Sequence, residues 1–251
     1  MLPKNRTTWM IGLILLLLTF VVLGIYLFPG VSTPPVYLAE QHPYEQSDGI
    51  DPYVHGVFIT PENVQQVIED LSRIPAYSRE IAQTRYFTGG AGVSTSYAHI
   101  WVNEYALRIR FDSGENIIFT PEVYHLWQLG RPHITRQIPD FMGGTLYAIL
   151  DGFQGIPSWE IIRTLDPADI IAAGSTRVMI DNIYHYAIYV TVTDPLFGYR
   201  DTYYIDLSTG LLIAMTTYDG YNPIYRFDTI SLARTAPAAD IFHLPDGTPA
   251  I

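Results

Sequence analysis

The sequence predicts an α+β protein: one N-terminal membrane-spanning helix, then a single β-rich domain whose antiparallel sheet is interrupted by short helices. Three observations predict it. Residues 9–28 form an unbroken apolar run, segments after residue 97 alternate with a period of two, and turn-forming clusters separate those segments by only a few positions.

The apolar run comes first. Twenty residues at a rise of about 1.5 Å each reach about 30 Å, the thickness of a bilayer's hydrocarbon core. From Trp9 to Phe28, 14 of the 20 residues are Leu, Ile, Val or Phe, and none is charged. At roughly −0.3 to −0.6 kcal/mol for each such residue near the helix centre, insertion is favoured by several kcal/mol. A cleaved signal peptide would have an apolar core of about 7 to 15 residues ending in small residues. Here the run ends Tyr26-Leu27-Phe28-Pro29-Gly30, and no cysteine follows for lipid attachment.

Lys4 and Arg6 precede the run, and the next basic residue is Arg73, so the N-terminus is expected in the cytoplasm and the remaining chain outside. This gives a cytoplasmic tip over 1–6, a span over 7–28, a stalk over 29–59 and a domain over 60–251. The expected location is the cell membrane of a bacterium, with a single pass and the domain in the cell envelope. Two of the 14 basic residues lie before the span, which leaves 12 against 25 acidic residues and a formal charge of −13 beyond it. Nucleic acid and anionic headgroups are poor partners for such a charge. Without cysteine there is neither disulfide nor thiol chemistry, and 48% hydrophobic against 16% charged residues leaves ample material for a core.

The stalk is marked by Pro34-Pro35, Ser47-Asp48-Gly49 and Asp51-Pro52, although Tyr37, Tyr44, Tyr53 and Phe58 give it more aromatic residues than a free linker needs. The domain opens on a helix: Thr60 as N-cap, Pro61 at the first position, and Val64, Val67, Ile68 and Leu71 on one face, with Pro75 as the stop. Strands follow. Tyr97, His99 and Trp101 alternate with Ala98, Ile100 and Val102, and Leu107, Ile109 and Phe111 alternate with Arg108 and Arg110. Turns at Asn103-Glu104-Tyr105, Asp112-Ser113-Gly114 and Thr120-Pro121-Glu122 make this an antiparallel meander as far as about Leu129. Residues 131–155 carry no readable period. Asp166-Pro167 then starts a second short helix that Gly174 can stop. Strands return over Ile183 to Thr193, Thr202 to Asp206, Leu211 to Tyr218 and Pro223 to about Leu232, a sheet long enough to curl.

The last of these strands carry a family resemblance. Tyr203-Tyr204-Ile205-Asp206-Leu207-Ser208-Thr209-Gly210-Leu211-Leu212, Thr217-Tyr218-Asp219-Gly220 and the closing Asp240-Ile241-Phe242-His243-Leu244-Pro245-Asp246-Gly247 resemble the C-terminal half of LolA-like proteins. That superfamily includes periplasmic lipoprotein carriers, mycobacterial lipid carriers, sensor domains acting on anti-sigma factors, and anchored Gram-positive relatives. Thr60 to Gln65, followed by Tyr77-Ser78-Arg79, resembles the Gram-positive members. The resemblance implies an unclosed, strongly curved half-barrel with short helices on its concave side, where the carriers hold acyl chains. No cavity residue of the carriers aligns onto a position here, and a membrane-tethered protein cannot shuttle cargo across a periplasm.

Chemistry is sparse. His42, His55, His99, His125, His133, His185 and His243 show no metal-binding spacing, and His99 and His185 read as hydrogen-bonded sheet residues. The glycine-rich stretch 87–92 lacks the Gly-Lys-Ser/Thr of a phosphate loop, and there is no G-x-S-x-G. Neither a metal, a cofactor nor a catalytic residue is expected. Glu104, Asp112 and Glu115 read as solvated turn carboxylates, with a hydrolytic carboxylate pair as the competing reading. Nineteen tyrosines and four tryptophans suggest a ligand or partner cavity, with Tyr97, Trp101, Tyr184, Tyr186, Tyr203 and Tyr225 as its candidates. Three functions follow: a non-enzymatic protein that scaffolds or senses another envelope protein, a binder of a lipid or acyl chain near the membrane, and an envelope hydrolase. An open concave face favours the lipid, and a closed one favours protein contact.

Overall fold

The computed structural model describes residues 53–54, 57–87, 92–104, 106–138, 146–194 and 196–251. The expected cytoplasmic tip, the span and the stalk as far as residue 52 lie outside these residues. Among the described residues, no helix is long and apolar enough to cross a membrane.

Two short strands, β1 (Tyr53–Val54) and β2 (Val57–Phe58), pair with each other inside the segment read as stalk. Ile59 is already buried, so packed structure begins before the predicted domain boundary. The remaining strands form one 11-stranded antiparallel sheet. Its N-terminal half runs β3 (Ala76–Phe87), β4 (Gly92–Asn103), β5 (Ala106–Phe111), β6 (Glu115–Phe119), β7 (Val123–Gln128) and β8 (Ile134–Gln137). The C-terminal half runs β9 (Ile170–Ile180), β10 (Ile183–Thr193), β11 (Arg200–Asp206), β12 (Leu212–Asp219) and β13 (Asn222–Ala233). Each half is a meander, and the two join where β13 pairs with β3, leaving β8 and β9 as the edges.

Curvature is concentrated in the second half. Register shifts interrupt four of the five pairings from β9 to β3, at Thr191/Val192, Tyr204/Ile205, Thr217/Tyr218 and Thr229/Ser231, with β10–β11 alone unshifted, whereas pairings from β3 to β8 run without one. An extra residue on one strand bends it and increases local twist. The result is that β9 returns to within 8 Å (Cα–Cα) of β13, although three strands stand between them in the sheet. The sheet is therefore strongly curled and stays unclosed.

The helices are short. α1 (Val64–Glu69) buries Val64 and Ile68, as its period predicts, but its start differs from the expected Thr60 cap. The Thr60 carbonyl accepts the amides of Asn63 and Val64, while the Asn63 side-chain oxygen accepts the Thr60 amide at 2.8 Å. α2 (Leu146–Phe153) lies in the stretch that carried no readable period. A 3-10 turn over Trp159–Thr164 follows, with Ser158 capping its first turn. The predicted helix from Asp166 is a three-residue 3-10 turn, Pro167–Asp169, and strand β9 takes over at Ile170. Gly174 does not stop a helix. It pairs with Tyr189, whose ring lies where a Cβ at 174 would stand, at 2.7 Å.

Candidate functional site

Strand parity divides the sheet into two faces. On β3, Tyr77, Arg79, Ile81 and Gln83 point to the helices, and their partners on β4 are Val102, Ile100, Ala98 and Ser96. α2 packs on this face: the Phe153 ring stands 4.7 Å from Phe119 and 5.4 Å from Tyr124, and the Gln83 amide donates to the Gln154 carbonyl at 2.9 Å. Arg79 is 2% exposed and spans the layer, donating to the Leu212 carbonyl at 2.8 Å and to the Gln154 side chain. Burial lowers the pKa of its guanidinium, which also lies over the rings of Tyr77 and Phe227. Beside it, Arg73 donates twice to Asp151, at 3.0 and 2.6 Å, and lies over Trp159. Burial alone would lower the Arg73 pKa, but the hydrogen bonds and charge of Asp151 raise it. The helix-covered face is thus occupied by the chain's own aromatic rings and buried polar groups.

The six aromatic candidates do not share one cavity. Tyr203 and Tyr225 belong to the helix-covered face by register. Tyr203 is 5% exposed and burial raises its pKa, while the buried Tyr225 hydroxyl makes no hydrogen bond among the described residues and burial raises its pKa to about 12. Tyr184 and Tyr186 lie on the same face farther along β10, where the helical layer no longer covers them, and are 63% and 57% exposed. Met179 is paired directly with Tyr184, and Arg177 lies over its ring at 5.4 Å. Tyr97 and Trp101 lie on the opposite face, with His99 between them. There the His99 ring stacks on Trp101 at 4.4 Å and pairs with Glu80 at 3.1 Å, and Arg110 lies over Trp101. A shallow cavity of about 260 Å³ opens there between Glu80, Tyr97, His99, Arg110, Asp112 and Ile230.

The remaining candidates resolve as structural groups. Glu104 lies in the β4–β5 turn and Glu115 at the start of β6, at opposite ends of the six-residue strand β5. At about 3.3 Å per residue they stand about 20 Å apart, against about 5 to 9.5 Å for a glycosidase pair. At that separation Glu104 and Glu115 do not form a single hydrolytic pair. His185 pairs with the fully buried Asp206 carboxylate, which also accepts the amides of Ser208 at 2.7 Å and Thr209 at 3.1 Å. The Asp206 to Gly210 motif is therefore a turn lock. His125 and His133 approach to 3.2 Å, and among the described residues no group of three or more His, Asp or Glu side chains is placed to hold a metal ion.

No protein-family profile matches the sequence, and no curated protein does either. Solved structures do match. One is a LolA superfamily protein from Nitrosomonas europaea, 9% identical, covering 75% of this chain and 96% of that one at a TM-score of 0.30. Another is a domain from Vibrio parahaemolyticus provisionally described as an outer membrane lipoprotein-sorting protein, 11% identical, covering 69% and 90% at 0.27. The likeness is one of fold.

Arg79, Arg73, Asp151 and Gln154 escaped the sequence reading. Tyr77, Arg79 and Ile81 alternate as β3 requires, so phasing that strand would have turned a cation inward. Its partners are the Leu212 carbonyl at the start of β12 and Gln154, which directly follows α2 in the stretch that had no readable period.

Proposed function

We propose that this protein is a membrane-anchored, extracytoplasmic, non-enzymatic module that docks another envelope protein, either to scaffold it or to sense its state. The observation that supports this reading is the filled helix-covered face. An acyl chain there would have to displace Phe153 from between Phe119 and Tyr124, or enter beside the buried Arg73–Asp151 pair. Desolvated charge and packed rings are a poor acyl chamber. One exposed aromatic surface lies on the edge hairpin, where Tyr184 and Tyr186 of β10 stand beside the edge strand β9 and its exposed Met179. An edge strand offers main-chain hydrogen bonds, and neighbouring exposed rings give a partner something to read. The acyl-chain binder is the alternative reading.

Site-specific photocrosslinking tests the proposal. A photoreactive phenylalanine in place of Tyr186, in the full chain in its native membrane, gives one discrete protein adduct. The same group in place of Leu129, 98% exposed in the β7–β8 turn, gives none. Indistinguishable products from the two positions would overturn the docking reading.

A further inference from the structure

Three adjacent hairpins of the sheet turn at the same end. The pairs Phe87↔Gly92, Asp219↔Asn222 and Thr193↔Arg200 close the β3–β4, β12–β13 and β10–β11 hairpins, and Arg200 is in register with Tyr218. The sheet order β4-β3-β13-β12-β11-β10 places them side by side. Each displays apolar side chains to solvent: Phe87 and Val93 at 52% and 53%, Tyr221 at 95%, and Leu196 and Phe197 at 84% and 70%. An isolated exposed apolar residue needs no explanation, whereas five at one end of three neighbouring turns do.

The β10–β11 turn is built to hold its apolar residues outward. One oxygen of Asp194 accepts the amides of Leu196 and Phe197, both at 2.8 Å. The Asp194 carbonyl accepts the Gly198 amide at 2.9 Å, and its amide donates to the Tyr199 carbonyl at 2.7 Å. With the amides of Asp194, Leu196, Phe197 and Gly198 paired inside the turn, those four donors add no cost when the turn leaves water. Arg85 and Arg200 are exposed at the same end together with Asp219, and a cation beside apolar tips matches the phosphate of a zwitterionic lipid above acyl chains.

We propose that this end of the sheet is a second membrane contact: Leu196, Phe197 and Tyr221, supported by Phe87 and Val93, enter the headgroup boundary of the bilayer that anchors the chain. The proposal rests on the anchored part of the reading above and is independent of the protein docked at β9. Chain length supports the bilayer as occupant. The 24 residues from 29 to 52 separate the predicted span from β1. Twenty-four residues reach at most about 80 Å in any conformation, so a domain held by the span cannot leave the neighbourhood of the bilayer.

The chain has no cysteine, so single labels can be placed. Full-length Phe197→Cys, Tyr221→Cys and Ile183→Cys, each carrying an NBD label, are reconstituted into phosphatidylcholine and phosphatidylglycerol vesicles containing nitroxide-labelled lipid. Ile183 is the control, 62% exposed at the opposite end of the sheet. Labels at 197 and 221 are expected to be quenched at least threefold more than the label at 183, with blue-shifted emission. Equal quenching at the three positions in chains that float with the vesicles overturns the tip contact alone. Chains that fail to float overturn the anchor and the tip contact together.

Discussion

Arg73 and Asp151, 78 positions apart in the chain, form a two-point ion pair whose side chains are only 5% and 3% exposed. The pair ties the connection after α1 to α2 and so holds the helical layer that fills the sheet's face. Burying two charges costs several kcal/mol each, and their attraction returns it only with good geometry. The pair is therefore better understood as a positional lock than as a source of net stability.

Breaking one side of that lock strands a buried charge. Asp151→Ala is expected to destabilise the protein by about 3–5 kcal/mol. The Arg73→Met/Asp151→Leu double variant recovers most of that loss, because neither charge then needs solvating. Urea denaturation followed by tryptophan fluorescence distinguishes the two, and equal losses would contradict the lock.

Gly210 makes a different demand. Its φ is +65°, and a Cβ there would lie 2.5 Å from the Ser72 carbonyl oxygen, a backbone atom that cannot swing away. Gly220 has φ +60° with open space around it. Gly220→Ala should cost about 1–2 kcal/mol for the left-handed backbone alone. Gly210→Ala should cost clearly more and should loosen the Ile74 amide bond to the Thr209 carbonyl, 2.9 Å in the native chain. Thermal melts and hydrogen exchange at Ile74 measure the two effects.

Acid should weaken the β7–β8 region through His125. Burial and the neighbouring His133 lower its pKa in the folded state. The unfolded chain, with a histidine pKa of about 6.5, then binds more protons than the folded one between the two values. Stability falls as pH drops through about 6.5 and levels off below the folded pKa. His125→Asn should show a smaller loss of Tm between pH 7.5 and 5.5 than the native chain, and an unchanged slope would contradict the assignment.

Much of the sheet was legible because its strands are half-buried and alternate cleanly. Ile183–Thr193 was read to the residue, and the strands from β11 to β13 to within two. Gly174 misled, since glycine marks a helix stop in one context and a seat for a cross-strand ring in another, and only the pairing with Tyr189 decides. α2 was missed because Leu146 to Phe153 is only eight residues long, too short a stretch to establish a helical period in sequence. The aromatic candidates were found as types but not as a site. Composition identified Tyr184, Tyr186 and Tyr203 alike, whereas the end of the helical layer leaves the first two exposed and the third buried.

Exposure of Tyr184 and Tyr186 separates docking from folding. Tyr186→Ala should leave Tm within about 1 kcal/mol equivalent of native, as expected for a surface position, while abolishing the photocrosslink formed from position 184. A large fall in Tm would show that the ring is structural.

The chain itself fills the helix-covered face, and under the proposed docking any partner binds outside it. A photoreactive fatty acid, activated on the full-length protein in its membrane and mapped by peptide mass spectrometry, tests this most directly. The predicted result is labelling confined to the span and the Leu196–Phe197 turn, with none at Tyr203, Met215 or Phe227. Labelling at those three buried residues would contradict it and would make the face an acyl-chain site.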